Sequence, residues 1–215
     1  MTDRSRTDET GGGGSYRQQV EERRRQARQK TEGQSEGPGS ELSSTFVFDC
    51  LYANQLGDGM LYAAIHKDSF RYAKNMGEWL EWCGNYWQRD VMGNALMACE
   101  NVAQRYLQER HEVSKLVSQA AGDGDENERK RLESLRNKLD KRIERLRDQR
   151  GRTNTLAFAH TCPGGLGITG DELDSNPWLL AVENGVIDLR TGHLRKGHHE
   201  DYITMSSPVP WEGID

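Results

Sequence analysis

Long apolar runs are missing from this sequence. No stretch of the 215 residues approaches the roughly 18 consecutive apolar side chains a membrane helix needs, and Met1-Thr2-Asp3-Arg4-Ser5-Arg6 lacks the apolar core of a signal peptide. The expectation is a soluble, non-exported, cytoplasmic protein with no membrane partner. Cysteine is sparse as well. Cys50, Cys83, Cys99 and Cys162 form no C-x-x-C pair, which excludes a dense disulfide framework and points to reduced thiols. The six histidines do not join them at zinc-finger spacing; His160-Thr161-Cys162 is the nearest approach, and no metal is expected.

Signatures of catalysis are also wanting. There is no Gly-x-x-x-x-Gly-Lys-Ser/Thr, in which a lysine reaches the phosphates and a hydroxyl holds Mg²⁺, and no Gly-x-Ser-x-Gly nucleophile elbow. Gly165-Leu166-Gly167-Ile168-Thr169-Gly170 matches Gly-x-Gly-x-x-Gly. That fingerprint works only between a strand and a helix, and Pro163 before it and Pro177 after it leave no room for a βαβ unit. A surface loop is the expectation there. Carboxylates are plentiful, but nothing in their spacing brings them together. No catalytic residue and no cofactor is assigned.

What is present is charge: 29% of residues are charged and only 34% hydrophobic, which fits one modest core plus sequence outside it. The formal net charge of -5 opposes coating of nucleic acid by bulk charge. Residues 126–150 are the exception, with ten basic against six acidic side chains. Attraction to phosphate would concentrate there.

Residues 1–42 hold Gly11-Gly12-Gly13-Gly14-Ser15, a charged burst from Glu21 to Arg25 and a Gly/Ser/Pro-rich stretch from Gly33 to Ser40. So few apolar side chains cannot offset the entropy of ordering, and a disordered tail is expected. The globular domain is placed at 43–215. Spacings of three and four from Phe46 to Ile65 predict helix, with Ser43 or Ser44 as N-cap and Gly57-Asp58-Gly59 as an interruption. Gly84-Asn85 between Glu78–Cys83 and Tyr86–Arg89 predicts a hairpin with a primed turn. Residues 94–150 predict a long helical hairpin around Gly122-Asp123-Gly124-Asp125. Its second stripe, Leu132, Leu135, Leu139, Ile143 and Leu146, is narrow and flanked by charge, as in a helix projecting from the body. Asn184-Gly185 between two apolar runs predicts a second β-hairpin with a type I′ turn, and Thr191-Gly192 turns the chain again. The fold class is α+β, mainly helical: a long helical hairpin plus two small antiparallel β-hairpins that can pair with each other.

Trp79, Trp82, Tyr86 and Trp87 lie within nine residues. They can stack single-stranded bases beside Arg89, or form the core of a small sheet packing on helices, which burial energy favours. Arg71, Lys74 and Arg89 near these aromatics, with Lys138, Arg142 and Arg145 on the basic helix, are the candidate nucleic-acid-binding residues. Six acids interrupt the face of that helix, so a hairpin that contacts a protein partner is an equal alternative.

Trp79-x-x-Trp82-x-Gly84-x-x-Trp87-x-x-Asp90 and Asn176-Pro177-x-x-Leu180-x-x-x-Asn184-Gly185-x-x-Asp188-Leu189-x-Thr191-Gly192 carry a resemblance. They are similar to elements of phage and plasmid primase-helicases, related to the poxvirus primase-helicase, in the region before the superfamily 3 helicase domain. The resemblance covers roughly residues 45–215. It implies a mixed helical domain that links a primase to a hexameric motor and forms a collar on the ring. It implies as partners a superfamily 3 helicase domain or subunit, weakly held single-stranded DNA and further copies of the chain. The setting implied is bacterial cytoplasm with a prophage or plasmid. ATP and Mg²⁺ would belong to a helicase domain whose Walker motifs are not in this sequence. A fragment of a split gene, or a stand-alone module working with a separate helicase, is expected; a regulatory interaction protein is the alternative.

Overall fold

The computed structural model describes residues 42–213; the tail at 1–41 and its expected disorder lie outside the described residues. The fold is α+β and mainly helical, with about half of it in helices and two small mixed sheets. No described helix is long and apolar enough to cross a membrane.

Helix α1, Ser44–Tyr52, starts where the Ser43 hydroxyl accepts the Phe46 N–H at 3.2 Å. It buries Val47, Phe48, Cys50 and Leu51. Helix α2, Asn54–Ile65, follows after a break at Asn54, which takes φ +57. The expected break at Gly57-Asp58-Gly59 does not occur, because those glycines serve packing. A Cβ on Gly57 would fall 1.8 Å from the Cys50 carbonyl oxygen, and one on Gly59 2.4 Å from Phe158 Cβ. Two neighbouring chain segments can approach this helix only where side chains are absent.

Asp90 accepts the N–H groups of Asn94 and Ala95, both at 2.7 Å, and so caps the single turn α3, Asn94–Met97. Helix α4, Cys99–Gly122, then pairs with α5, Glu126–Arg147, in the expected antiparallel hairpin. Asp125 caps α5 by accepting the Glu128 N–H, and the helix places Glu126 and Glu128 in its first turn and Arg145 and Arg147 in its last, matching the helix dipole. The base of the hairpin is built into the body. Leu132, Leu139, Ile143 and Leu146 are buried along α4, and Arg142 points inward to α1 and α2. Helix α6, Gln149–Ala159, closes the layer against α2.

The first sheet has the order β3-β2-β1-β4, with β1 Phe70–Ala73, β2 Glu78–Trp82, β3 Trp87–Arg89 and β4 Gly167–Ile168. β4 runs parallel to β1 and is built from the Gly165–Gly170 stretch. Its glycines admit close backbone: a Cβ on Gly167 would lie 2.4 Å from the His160 carbonyl oxygen. One face of this sheet, with Phe70 and Trp79, joins the helical core. The other, with Ala73, Leu80 and Trp87, packs on Ile168, Leu173 and Tyr202. The second sheet has the order β7-β6-β5-β8, with β5 Leu179–Val182, β6 Gly185–Asp188, β7 His193–Arg195 and β8 Ser206–Ser207. The two sheets share no ladder, contrary to the expected pairing of the hairpins. Asn85 joins them instead, donating to the Glu183 carbonyl at 3.4 Å and accepting the Gly197 N–H at 3.1 Å.

Candidate nucleic-acid interface

The residues of the first motif build structure. Trp87 is fully buried and donates its indole N–H to the His199 carbonyl at 2.9 Å. Trp82 leans on Trp87 at 5.1 Å and on His199 at 4.4 Å, and Trp79 meets Tyr62 edge-on at 6.1 Å. Of the two readings of this aromatic cluster, a sheet core is the one the packing bears out. Gly84 takes φ +89 at the first central position of the turn between Cys83 and Tyr86, the backbone of a type II′ turn.

The second motif is also a set of turns. The Asn176 side chain accepts the Trp178 N–H at 3.1 Å ahead of β5, with Pro177 between them. The β5–β6 turn differs from the expected type I′. Val182 pairs with Gly185, so Glu183 and Asn184 form the tip, and neither has positive φ. The Asn184 side chain instead makes two bonds with Trp211, donating to its carbonyl at 3.0 Å and accepting its N–H at 2.9 Å. Gly185 is needed for space, since a Cβ there would lie 2.5 Å from the Arg195 carbonyl oxygen. Asp188 accepts the Arg190 N–H at 2.9 Å and pairs with its guanidinium; these bonds hold the carboxyl below its usual range. The Asp188 carbonyl accepts from Thr191 and Gly192, and Gly192 takes φ +71 after Leu189.

The six candidate cations do not converge. Arg71 donates to the carbonyls of Lys67 and Phe70 and lies 5.3 Å from the Trp87 ring centre. Arg89 is held by Glu78 at 2.8 Å. Lys74 is exposed at the end of β1, near Gly167. Lys138 rests its ammonium over the Tyr52 ring at 3.9 Å, and burial and then the Arg142 charge push its pKa down. Arg145 is half-exposed and lies 3.5 Å from Asp58.

Arg142 leaves the candidate set. Its guanidinium is buried, bonds Asp58 at 2.7 Å and donates to the Leu51 and Asn54 carbonyls, so it is turned inward and not offered to phosphate. Burial pushes the Asp58 carboxyl up, while the charge and hydrogen bonding of Arg142, the Arg145 charge and the Tyr106 hydroxyl pull it back. A second buried polar set binds the start of α1 to α4: Ser44 donates to Glu109 at 3.0 Å, and Arg105 bridges Glu109 and the Leu42 carbonyl. Buried thiols are pushed up to about 12 at Cys50 and Cys99, which makes both poor nucleophiles.

Two surfaces stand open. One is the outer ridge of α5, where Lys130 and Lys141 accompany Lys138; sequence reading by net charge missed both, although their spacing is helical. The other is the outer face of the second sheet, where the exposed Leu180 and Leu194 flank the buried Ile187 in one cross-strand row. Trp178 and Leu189, each about half exposed, extend it.

The α+β scaffold thus carries a basic ridge and an apolar sheet face around a packed interior. The family model described as "D5 N terminal like" matches residues 59–215, and the chain belongs to that family, the N-terminal region of primase-helicases. A 40-residue stretch is 48% identical to the protein named "Putative helicase 022R" of Frog virus 3 (isolate Goorha), covering 19% of this chain and 4% of that one. Family membership gives the chain a replication-associated role.

Proposed function

We propose that the chain is a noncatalytic linker or collar module of a primase-helicase, seated on a superfamily 3 motor and supporting assembly of the motor's ring. The observation that carries this is the apolar outer face of the second sheet. Contiguous exposed apolar surface marks an interface, and Trp178, Leu180, Leu189 and Leu194, between 38% and 51% exposed, lie together around the buried Ile187. Residues 206–211 run along the same sheet's edge and tip, beside this face. ATP and Mg²⁺ would be bound by the motor, and copies of the module would be gathered by its ring. The setting is cytoplasm hosting a phage or plasmid.

The test joins the chain to the superfamily 3 domain of a family member and follows ring formation by analytical ultracentrifugation, with ATP hydrolysis beside it. Leu180→Glu with Leu194→Glu should leave the module folded and abolish assembly. Rings that form equally well in the double variant would refute the assignment of this face.

A further inference from the structure

Along α5, Lys130, Ser134, Asn137, Lys138, Lys141 and Arg145 follow steps of three and four and fall on one stripe. At 1.5 Å rise per residue the stripe is about 22 Å long. Its first five members border a shallow polar hollow of about 500 Å³. The acids that interrupt this helix in sequence are drawn off it by arginines: Glu126 and Glu133 pair with Arg129, Glu128 with Arg131, and Asp140 with Arg110 on α4. Lys130, Lys138 and Lys141 have no carboxylate partner among the described residues, and Glu133, which lines the hollow, is already held. Glu144 flanks Arg145.

We infer that this stripe is a track for the sugar-phosphate backbone of single-stranded nucleic acid. The inference rests on the proposed role beside a helicase motor and names the surface that would hold the strand. Lysines give point charges for phosphates, and the interleaved Ser134 hydroxyl and Asn137 amide are the donors that backbone contacts use. An interface for an acidic protein would carry buried aromatic or apolar anchors at its centre, and the stripe has none. The half-exposed Tyr52 ring lies beneath the Lys138 ammonium at 3.9 Å and steadies that lysine on the stripe.

The experiment uses the full chain and fluorescence anisotropy with labelled oligothymidine of about 20 nucleotides, a length that exceeds the stripe. The matching duplex and polyglutamate serve as competitors. Three lysines and Arg145 engaging three to four phosphates predict a salt slope of about -2 to -3 in log K against log salt. Lys130→Gln, Lys138→Gln and Lys141→Gln together should weaken binding about tenfold or more and flatten the slope by about 2, because each lost contact removes about 0.7. The corresponding three Lys→Arg changes should retain it. All three side chains lie at the surface and only Lys138, over the Tyr52 ring, makes a described contact, so the variant should still melt in one cooperative transition. A triple Gln variant that binds with unchanged affinity and slope overturns the inference, as does wild-type chain that fails to bind at about 50 mM salt. Polyglutamate that displaces the oligonucleotide at equal charge also overturns it, in favour of a protein partner. Assembly of the motor fusion reads the collar role separately and should be unaffected by the triple Gln variant.

Discussion

Asp58 and Arg142, 84 residues apart, meet at 2.7 Å in the helical interior, with 3% and 5% of their side chains exposed. Each satisfies the other in a place where neither could be solvated. Arg142 also closes the carbonyls of Leu51 and Asn54 at the break between α1 and α2, so the pair fixes where these helices separate. Arg142→Ala should therefore destabilise the fold by about 3–5 kcal/mol, because it leaves the buried Asp58 charge with only the half-exposed Arg145 and the Tyr106 hydroxyl. Asp58→Leu with Arg142→Met should recover much of the loss. Urea denaturation of the single and double variants reads both values.

Asp90 ends the first family motif as a helix cap. Asp90→Ala should cost about 0.5–2 kcal/mol by stranding the Asn94 and Ala95 N–H groups, and Asp90→Asn should keep most of that. Thermal melting of the two variants separates the cap from a role in ligand binding.

Gly185→Val should destabilise the second sheet by about 1–3 kcal/mol through collision with the Arg195 carbonyl. Asn184→Ala should cost about 1 kcal/mol by freeing the segment around Trp211. Limited proteolysis after residue 205 should accelerate in Asn184→Ala and stay near wild type in Asn184→Asp at Trp211 N–H, where the accepting oxygen is kept.

His66 is buried against Tyr62, and burial holds its pKa below the usual imidazole value despite the Ala98 carbonyl. His160, stacked on Tyr72 at 4.0 Å, is lowered by burial and by Lys74. In both, the unfolded chain takes up protons before the folded chain does, so stability is full above about pH 6.5 and falls as pH drops through the folded value. The melting temperature should decline from pH 7 toward 5.5, by less in His66→Gln. An identical decline in the variant would show that His66 takes up its proton equally in the folded and unfolded states and would refute this account.

Much of this fold is legible from local pattern. The stripe from Leu132 to Leu146 gives the helical hairpin, and Gly84 with Asn85 gives the first β-turn. Other elements needed distant partners. Gly57-Asp58-Gly59 has the composition of a break, yet its glycines answer to Cys50 and Phe158 and its aspartate to Arg142. Asn184-Gly185 marks a hairpin correctly, but Trp211, 27 residues on, takes the asparagine and shifts the tip by one residue. The basic helix shows the same limit. Its net charge is visible in sequence, while the inward turn of Arg142 and the alignment of Lys130, Lys138 and Lys141 depend on which face α4 covers.

The Asn85 bridge has a consequence for how the molecule opens. The second sheet's own cluster is Ala181, Val186 and Ile203, with Val182 and Ile187 buried beside it, a small core for independent stability. It borrows rigidity through Asn85 and through the Trp87 N–H bonded to the Ile203 carbonyl at 2.7 Å. Amides of β5 to β7 should accordingly exchange with solvent in one cooperative step with those around Asn85 and Trp87, and the two sequence motifs, though about ninety residues apart, unfold as a single foldon.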